Sequence, residues 1–170
     1  SGTIGLLVTD LAGNNDIATT TVTVDNVAPL VDAGSDQNVN EGTLVNINPS
    51  FTDPGADTHT AVVDWGDGTI IDIGSVTSPF SDSHTYMDDG VYTVTITVTD
   101  DDLGVGVDTL TVIVNDLTPT AALTGDTPLN EGSLGNYDAS ASTSYPDTIV
   151  KYEWDWSYDG IIFNVEQDTG

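Results

Sequence analysis

The chain has 170 residues, 28 of them Asp or Glu against a single Lys or Arg, for a formal net charge of −27. That surface repels nucleic-acid phosphates and anionic membranes. Cysteine is absent, so no disulfide braces the fold, and no run approaches the roughly 18 apolar residues needed to span a bilayer. The same charge repels itself, so the folded chain needs salt, counter-ions or bound divalent cations. A saline habitat and calcium binding are two compatible readings of it. No secretory leader is visible and Ser1 starts mid-domain, so the chain reads as a piece of a longer one.

Internal repetition comes first in chain order. Val8-Thr9-Asp10 returns as Val98-Thr99-Asp100, Val24-Asp25-Asn26-Val27-Ala28-Pro29 as Val114-Asn115-Asp116-Leu117-Thr118-Pro119, and Asn40-Glu41-Gly42 as Asn130-Glu131-Gly132. Each offset is 90, which is too long for a solenoid unit and suits a sandwich of about seven strands. Residues 1–26 then match the end of a repeat, 27–117 a whole one, and 118–170 the beginning of a third. Both linkers are short and contain a proline, which predicts neighbouring repeats held nearly rigid to one another.

Inside the central repeat the apolar period is two, which predicts strands and no useful helix. Leu44 to Phe51 and His59 to Trp65 are expected strands. Asp67-Gly68 turns the chain back into Thr69 to Ile73, because Asp-Gly between strand-like runs is a strong hairpin signal. Trp65 is expected between the sheets. Tyr92, Val94, Ile96 and Val98 alternate with threonines, as do Leu110, Val112 and Val114 with Thr109, Thr111 and Ile113. Asp100 to Gly104 is the turn between those two runs. His59, at a strand start, is expected in solvent, and His84 is expected to satisfy a loop carbonyl.

The order Asn-Glu-Gly, Trp65-Gly66-Asp67-Gly68-Thr69, His84-Thr85-Tyr86, Gly90-Val91-Tyr92-Thr93-Val94-Thr95 and Val98-Thr99-Asp100-Asp101-Asp102 resembles the PKD (polycystic kidney disease) domain. The resemblance covers 27–117. It implies an all-β fold of tandem immunoglobulin-like antiparallel sandwiches, one complete and two partial. It also implies a non-catalytic extracellular module of surface proteins, adhesins and secreted hydrolases. Residues 1–26 look like the last two strands of such a domain, although Asp10-Leu11-Ala12-Gly13-Asn14 also resembles bacterial Ig-like repeats. Residues 118–170 look like a first half, with a longer hairpin loop at Trp154 to Gly160. In such a sandwich Asp88-x-Gly90-x-Tyr92 has the arrangement of a tyrosine corner, whose phenol bonds nearby backbone.

Two calcium sites are expected. Asp155, Ser157 and Asp159 stand at loop positions 1, 3 and 5, Gly160 at 6, Ile161 at 7 with its carbonyl, and Glu166 at 12. That is the ligand spacing of an EF-hand-type loop, here between strands. A strand after the turn would carry Glu166 away from the others. The second site follows from topology: the N-terminal linker, the B–C loop and the F–G turn of an immunoglobulin-like sandwich share one pole. Asp25, Asn26, Asp53, Asp57, Asp100, Asp101 and Asp102 would meet there, where one repeat joins the next, and a divalent ion would relieve their repulsion.

Catalytic readings are poor. Asp168-Thr169-Gly170 spells a fragment of the aspartic-protease motif without a partner lobe, and no long loops build a cleft around paired carboxylates. Trp154, Trp156, Tyr152 and Tyr158 cluster near the end, with Trp156 expected in the core by its match to Trp65. Any exposed remainder could stack on a sugar. The expected work is that of a stiff, acidic, calcium-rigidified spacer or surface-assembly module outside the cell. Its expected partners are neighbouring repeats, or other copies head to tail in a filament. The alternative is a carbohydrate- or matrix-binding accessory of a secreted hydrolase or adhesin.

Overall fold

The structure is a computed structural model and describes residues 2–168. All of its regular elements are strands. Among the described residues no helix is long and apolar enough to cross a membrane.

Strands β1 (Gly2–Thr9) and β2 (Asn15–Val22) form an antiparallel hairpin, with Gly2 opposite Val22 and Thr9 opposite Asn15. The central unit follows as β3 (Leu30–Asp32), β4 (Gln37–Asn40), β5 (Leu44–Ile47), β6 (Ser50–Thr52), β7 (His59–Asp64), β8 (Ile70–Val76), β9 (Asp82–Thr85), β10 (Gly90–Asp100) and β11 (Val105–Asn115). Five of these make one sheet in the order β4-β11-β10-β7-β8, in which β4 runs parallel to β11 and the other neighbours are antiparallel. The pairs β3–β6 and β5–β9 form the opposing layer. Four two-residue strands complete the chain: β12 (Thr124–Gly125) with β13 (Tyr137–Asp138), and β14 (Glu153–Trp154) with β15 (Gln167–Asp168).

The period of two puts every second side chain of β10 and β11 between the layers. Val94, Ile96, Val98 and Val112 are fully buried there, with Ala61 and Val63 from β7. Val31, Val45, Ile47 and Phe51 close the core from the other layer. The residues at the matching repeat positions of β1, Ile4, Leu6 and Val8, are more than half exposed because no second layer covers that hairpin among the described residues.

Two strands depart from the expectation. The run from Leu44 to Phe51 breaks at Asn48-Pro49, since proline has no amide to give the ladder. The return strand extends to Val76, which pairs with His59, and it carries a bulge at Ile73, which is left unpaired between Asp72 and Gly74 and packs its side chain on the core.

Trp65 is fully buried and its amide donates to the Thr69 carbonyl at 2.9 Å, closing the hairpin. Gly66 is required there: its φ is +79°, and a Cβ would sit 2.5 Å from the Thr93 carbonyl oxygen. Tyr92 donates its hydroxyl to the Asp88 carbonyl at 3.0 Å, which is the expected tyrosine corner, and its ring stacks on Tyr86 with centroids 4.1 Å apart.

Candidate metal centre

The two histidines are placed otherwise than expected. His59 Nε2 lies 2.8 Å from Asp53 Oδ2, its ring packs on Phe51, and its side chain is only 12% exposed, so it is not in solvent. His84 lies in β9 and reaches the Asp67 carboxylate at 2.6 Å while packing on Trp65, so it bonds a carboxylate and not a loop carbonyl. Burial pushes Asp67 up, but the Thr69 amide and His84 outweigh it, and its pKa falls below the usual carboxylate value.

At the pole of the central unit, Asp100 is buried and its carboxylate is fully engaged. Oδ1 accepts the amides of Asp102 (3.0 Å) and Gly104 (2.7 Å), and Oδ2 accepts Asn26 Nδ2 (2.9 Å). These bonds, that of Asn26 first, hold its pKa below the ordinary value. Gly104 is needed beside it, because a Cβ would collide with Asp100 Oδ2 and Asn26. Asp101 accepts the Thr58 amide at 3.1 Å. Asp53 has a side chain only 3% exposed, and its Oδ1 is buried with no hydrogen-bond partner. Partial burial and then the charges of Asp53, Asp101, Asp100 and Asp102 raise the pKa of Asp57. Asp25 is exposed beside Asn26. The chain therefore brings Asn26, Asp53, Asp57 and Asp100 to Asp102 to one pole, yet no three of those carboxylates place an oxygen each within 4.8 Å of the others.

In the C-terminal loop the carboxylates bind backbone. Asp155 accepts the amides of Asn164 and Ser157, and Asp159 those of Ile161 and Ile162, at 2.8–3.0 Å. These bonds lower both pKa values, with the Asn164 amide the main cause at Asp155 and the Ile162 amide at Asp159. Glu166 is not carried off: its amide donates to the Trp154 carbonyl at 2.8 Å, and Oε1 accepts the Ser157 hydroxyl at 2.8 Å. Asp155, Asp159 and Glu166 still do not converge within 4.8 Å.

Among the described residues one acidic triple does converge, and sequence reasoning passed it over: Glu41, Asp116 and Asp147, each with an oxygen within 4.8 Å of the other two. The signal was available, because the offset of 90 carries Asn26 to Asp116 and Asp57 to Asp147.

Of the aromatic cluster, Trp154 is half-buried and Trp156 is 55% exposed, so Trp156 is not the core residue. The two indoles stack with centroids 5.5 Å apart.

A protein-family model described as PKD domain matches residues 26–114, just over half of the chain. The chain belongs to the PKD domain family. PKD domains are generally non-catalytic, extracellular modules, and the matched span contains the whole two-layer unit from β3 to β11 almost to its end. Among solved structures, the PKD domain of an M14-like peptidase from Thermoplasmatales archaeon SCGC AB-540-F20 is similar at 29% identity. That match covers 54% of this chain and 100% of that one, with a TM-score of 0.47. No curated protein matches the chain.

Proposed function

We propose that this chain is a non-catalytic, extracellular spacer whose PKD repeats are held stiff by calcium. The observation that carries the reading is the anchoring of both linkers to the central unit. The upstream linker is tied through Asn26 to Asp100, and the downstream linker through the Leu117 amide to Glu41 Oε1 at 2.8 Å. A flexible tether leaves its linker free in solvent. Calcium suits the acidic pole because it prefers hard oxygen ligands and needs no preformed thiol or imidazole set. Asp53 Oδ1, buried without a partner, is the oxygen most in need of one.

Small-angle scattering of the whole chain in calcium and in chelator tests this. A maximum dimension that stays long in calcium and shortens in chelator supports the reading. A chain equally flexible in both sinks it. A carbohydrate-binding reading is favoured by the exposed, stacked Trp156, and a glycan array with a Trp156→Ala control separates it from a pure spacer.

A further inference from the structure

We propose that copies of this chain join head to tail, the β1–β2 hairpin of one copy closing the open core of residues 118–168 of the next. The inference goes beyond the spacer reading and needs no calcium.

The hairpin is one layer of a sandwich without its cover among the described residues. β1 pairs only with β2, so its outer edge is open there. Ile4, Leu6 and Val8 share one face by the period of two and are 57–61% exposed. No residue of Gly2–Thr9 is charged, in a chain that carries 28 acidic residues. Proteins guard exposed edges with charge, proline or a bulge, and β1 has none of these. A two-stranded hairpin is marginal in water unless its apolar face is packed.

The complement lies at the other end of the chain, where Ala121, Leu123, Tyr152 and Trp154 line a cavity of about 310 Å³. The repeat shows what belongs in it. The offset of 90 carries Val31 and Ala33 of β3 to Ala121 and Leu123, and it sets Ile4, Leu6 and Val8 where Val94, Ile96 and Val98 of β10 stand. In the central unit β3 packs across β10 and β11, and all five of those residues are buried. β10 also pairs with β7, Ile96 opposite Val63 and Val98 opposite Ala61. β14 is the counterpart of β7, since each precedes a hairpin loop. It pairs with β15 as β7 pairs with β8, and no described strand occupies its other edge. The central unit thus contains, within one chain, the contact that the two partial units lack.

The partial units leave from opposite ends of the central one. The upstream linker is tied through Asn26 to Asp100, just before β11, and the downstream linker through Leu117 to Glu41, whose amide is bound to Asn115 at the end of β11. The 11 residues of β11 separate these anchors by about 35 Å. The halves therefore meet between copies, in a heterologous contact that propagates without closing.

Light scattering of the whole chain from micromolar to submillimolar concentration, in enough potassium chloride to screen its charge, tests the contact. We expect the weight-average mass at least to double with concentration. Leu6→Asp puts a carboxylate on the hairpin face and Leu123→Asp puts one at the cavity. Both residues are more than half exposed, so neither variant endangers the central unit. Each variant alone should stay at the monomer mass. Their equimolar mixture should give dimers and nothing larger, because the Leu123→Asp copy still offers its hairpin to the intact cavity of the Leu6→Asp copy. A parent chain that is monomeric at every concentration overturns the proposal, as does a mixture that stays monomeric. Association that either variant leaves unchanged also overturns it, and in the case of Leu123→Asp it would mean that hairpins pair edge to edge with each other.

Discussion

The hydroxyl of Tyr86 donates to the carbonyl oxygen of Trp65 at 2.7 Å, and both residues are buried. The bond joins the strand end after β9 to the hairpin between β7 and β8, and burial is the main reason the Tyr86 phenol is pushed far above its usual pKa. Tyr86→Phe keeps the stacking on Tyr92 but leaves a buried carbonyl unpaired. The expected loss is about 1–3 kcal/mol. Urea unfolding should show a lower midpoint with an unchanged m-value, and an unchanged midpoint would contradict the role given to this bond.

Much of this network is legible in the sequence, and the reason is local. Asp67-Gly68, the alternation from Tyr92 to Val98, and Asp88-x-Gly90-x-Tyr92 each specify backbone geometry through nearest neighbours, and each is present as expected. The misplacements of His59, His84 and Trp156 have a different origin. Their partners, Asp53, Asp67 and Trp154, are set by how loops cross in space or by which face a short strand turns inward. The Glu41–Asp116–Asp147 triple joins three separate segments, so only the repeat offset hinted at it.

Asp57 and Asp100 should respond to pH with opposite signs. The folded pKa of Asp100 is lowered, so its contribution is present above the unfolded carboxylate value near 3.9 and is lost as pH falls through the folded value. The folded pKa of Asp57 is raised, by burial first and then by the neighbouring aspartates. Its ionisation therefore destabilises the fold as pH rises through that range. In chelator at neutral pH, Asp100→Asn should melt lower than the parent and Asp57→Asn higher, with both differences shrinking in acid. Melting curves collected from about pH 3 to 7 measure this. Equal shifts of one sign would mean that the pole does not concentrate charge on Asp57.

Two glycines with similar backbones should tolerate alanine differently. Gly42 (φ +71°) and Gly68 (φ +97°) both occupy the left-handed region, where a side chain costs roughly 1–2 kcal/mol. Nothing lies within 4 Å of a Cβ on Gly68, while a Cβ on Gly42 strikes the Tyr145 ring. Gly68→Ala should cost only the backbone term. Gly42→Ala should cost the same in the central unit and, in addition, release the Tyr145 loop. Hydrogen exchange at residues 145–149 reads the release directly. Protection there that survives Gly42→Ala would show that the ring does not depend on this glycine.

The charge of −27 makes a last prediction about salt. Repulsion among exposed carboxylates acts over the Debye length, about 8 Å at physiological ionic strength and about 3 Å at 1 M. Potassium chloride should therefore raise the melting temperature steeply at low concentration and then level off. Calcium chloride matched in ionic strength should add a further increment, because a coordinated ion neutralises charge at a fixed place and binds only the folded arrangement. Asp53→Asn should reduce that increment, read as the difference between the calcium and potassium curves of the same variant. Superimposable potassium and calcium curves would mean that screening alone accounts for the response of the acidic surface.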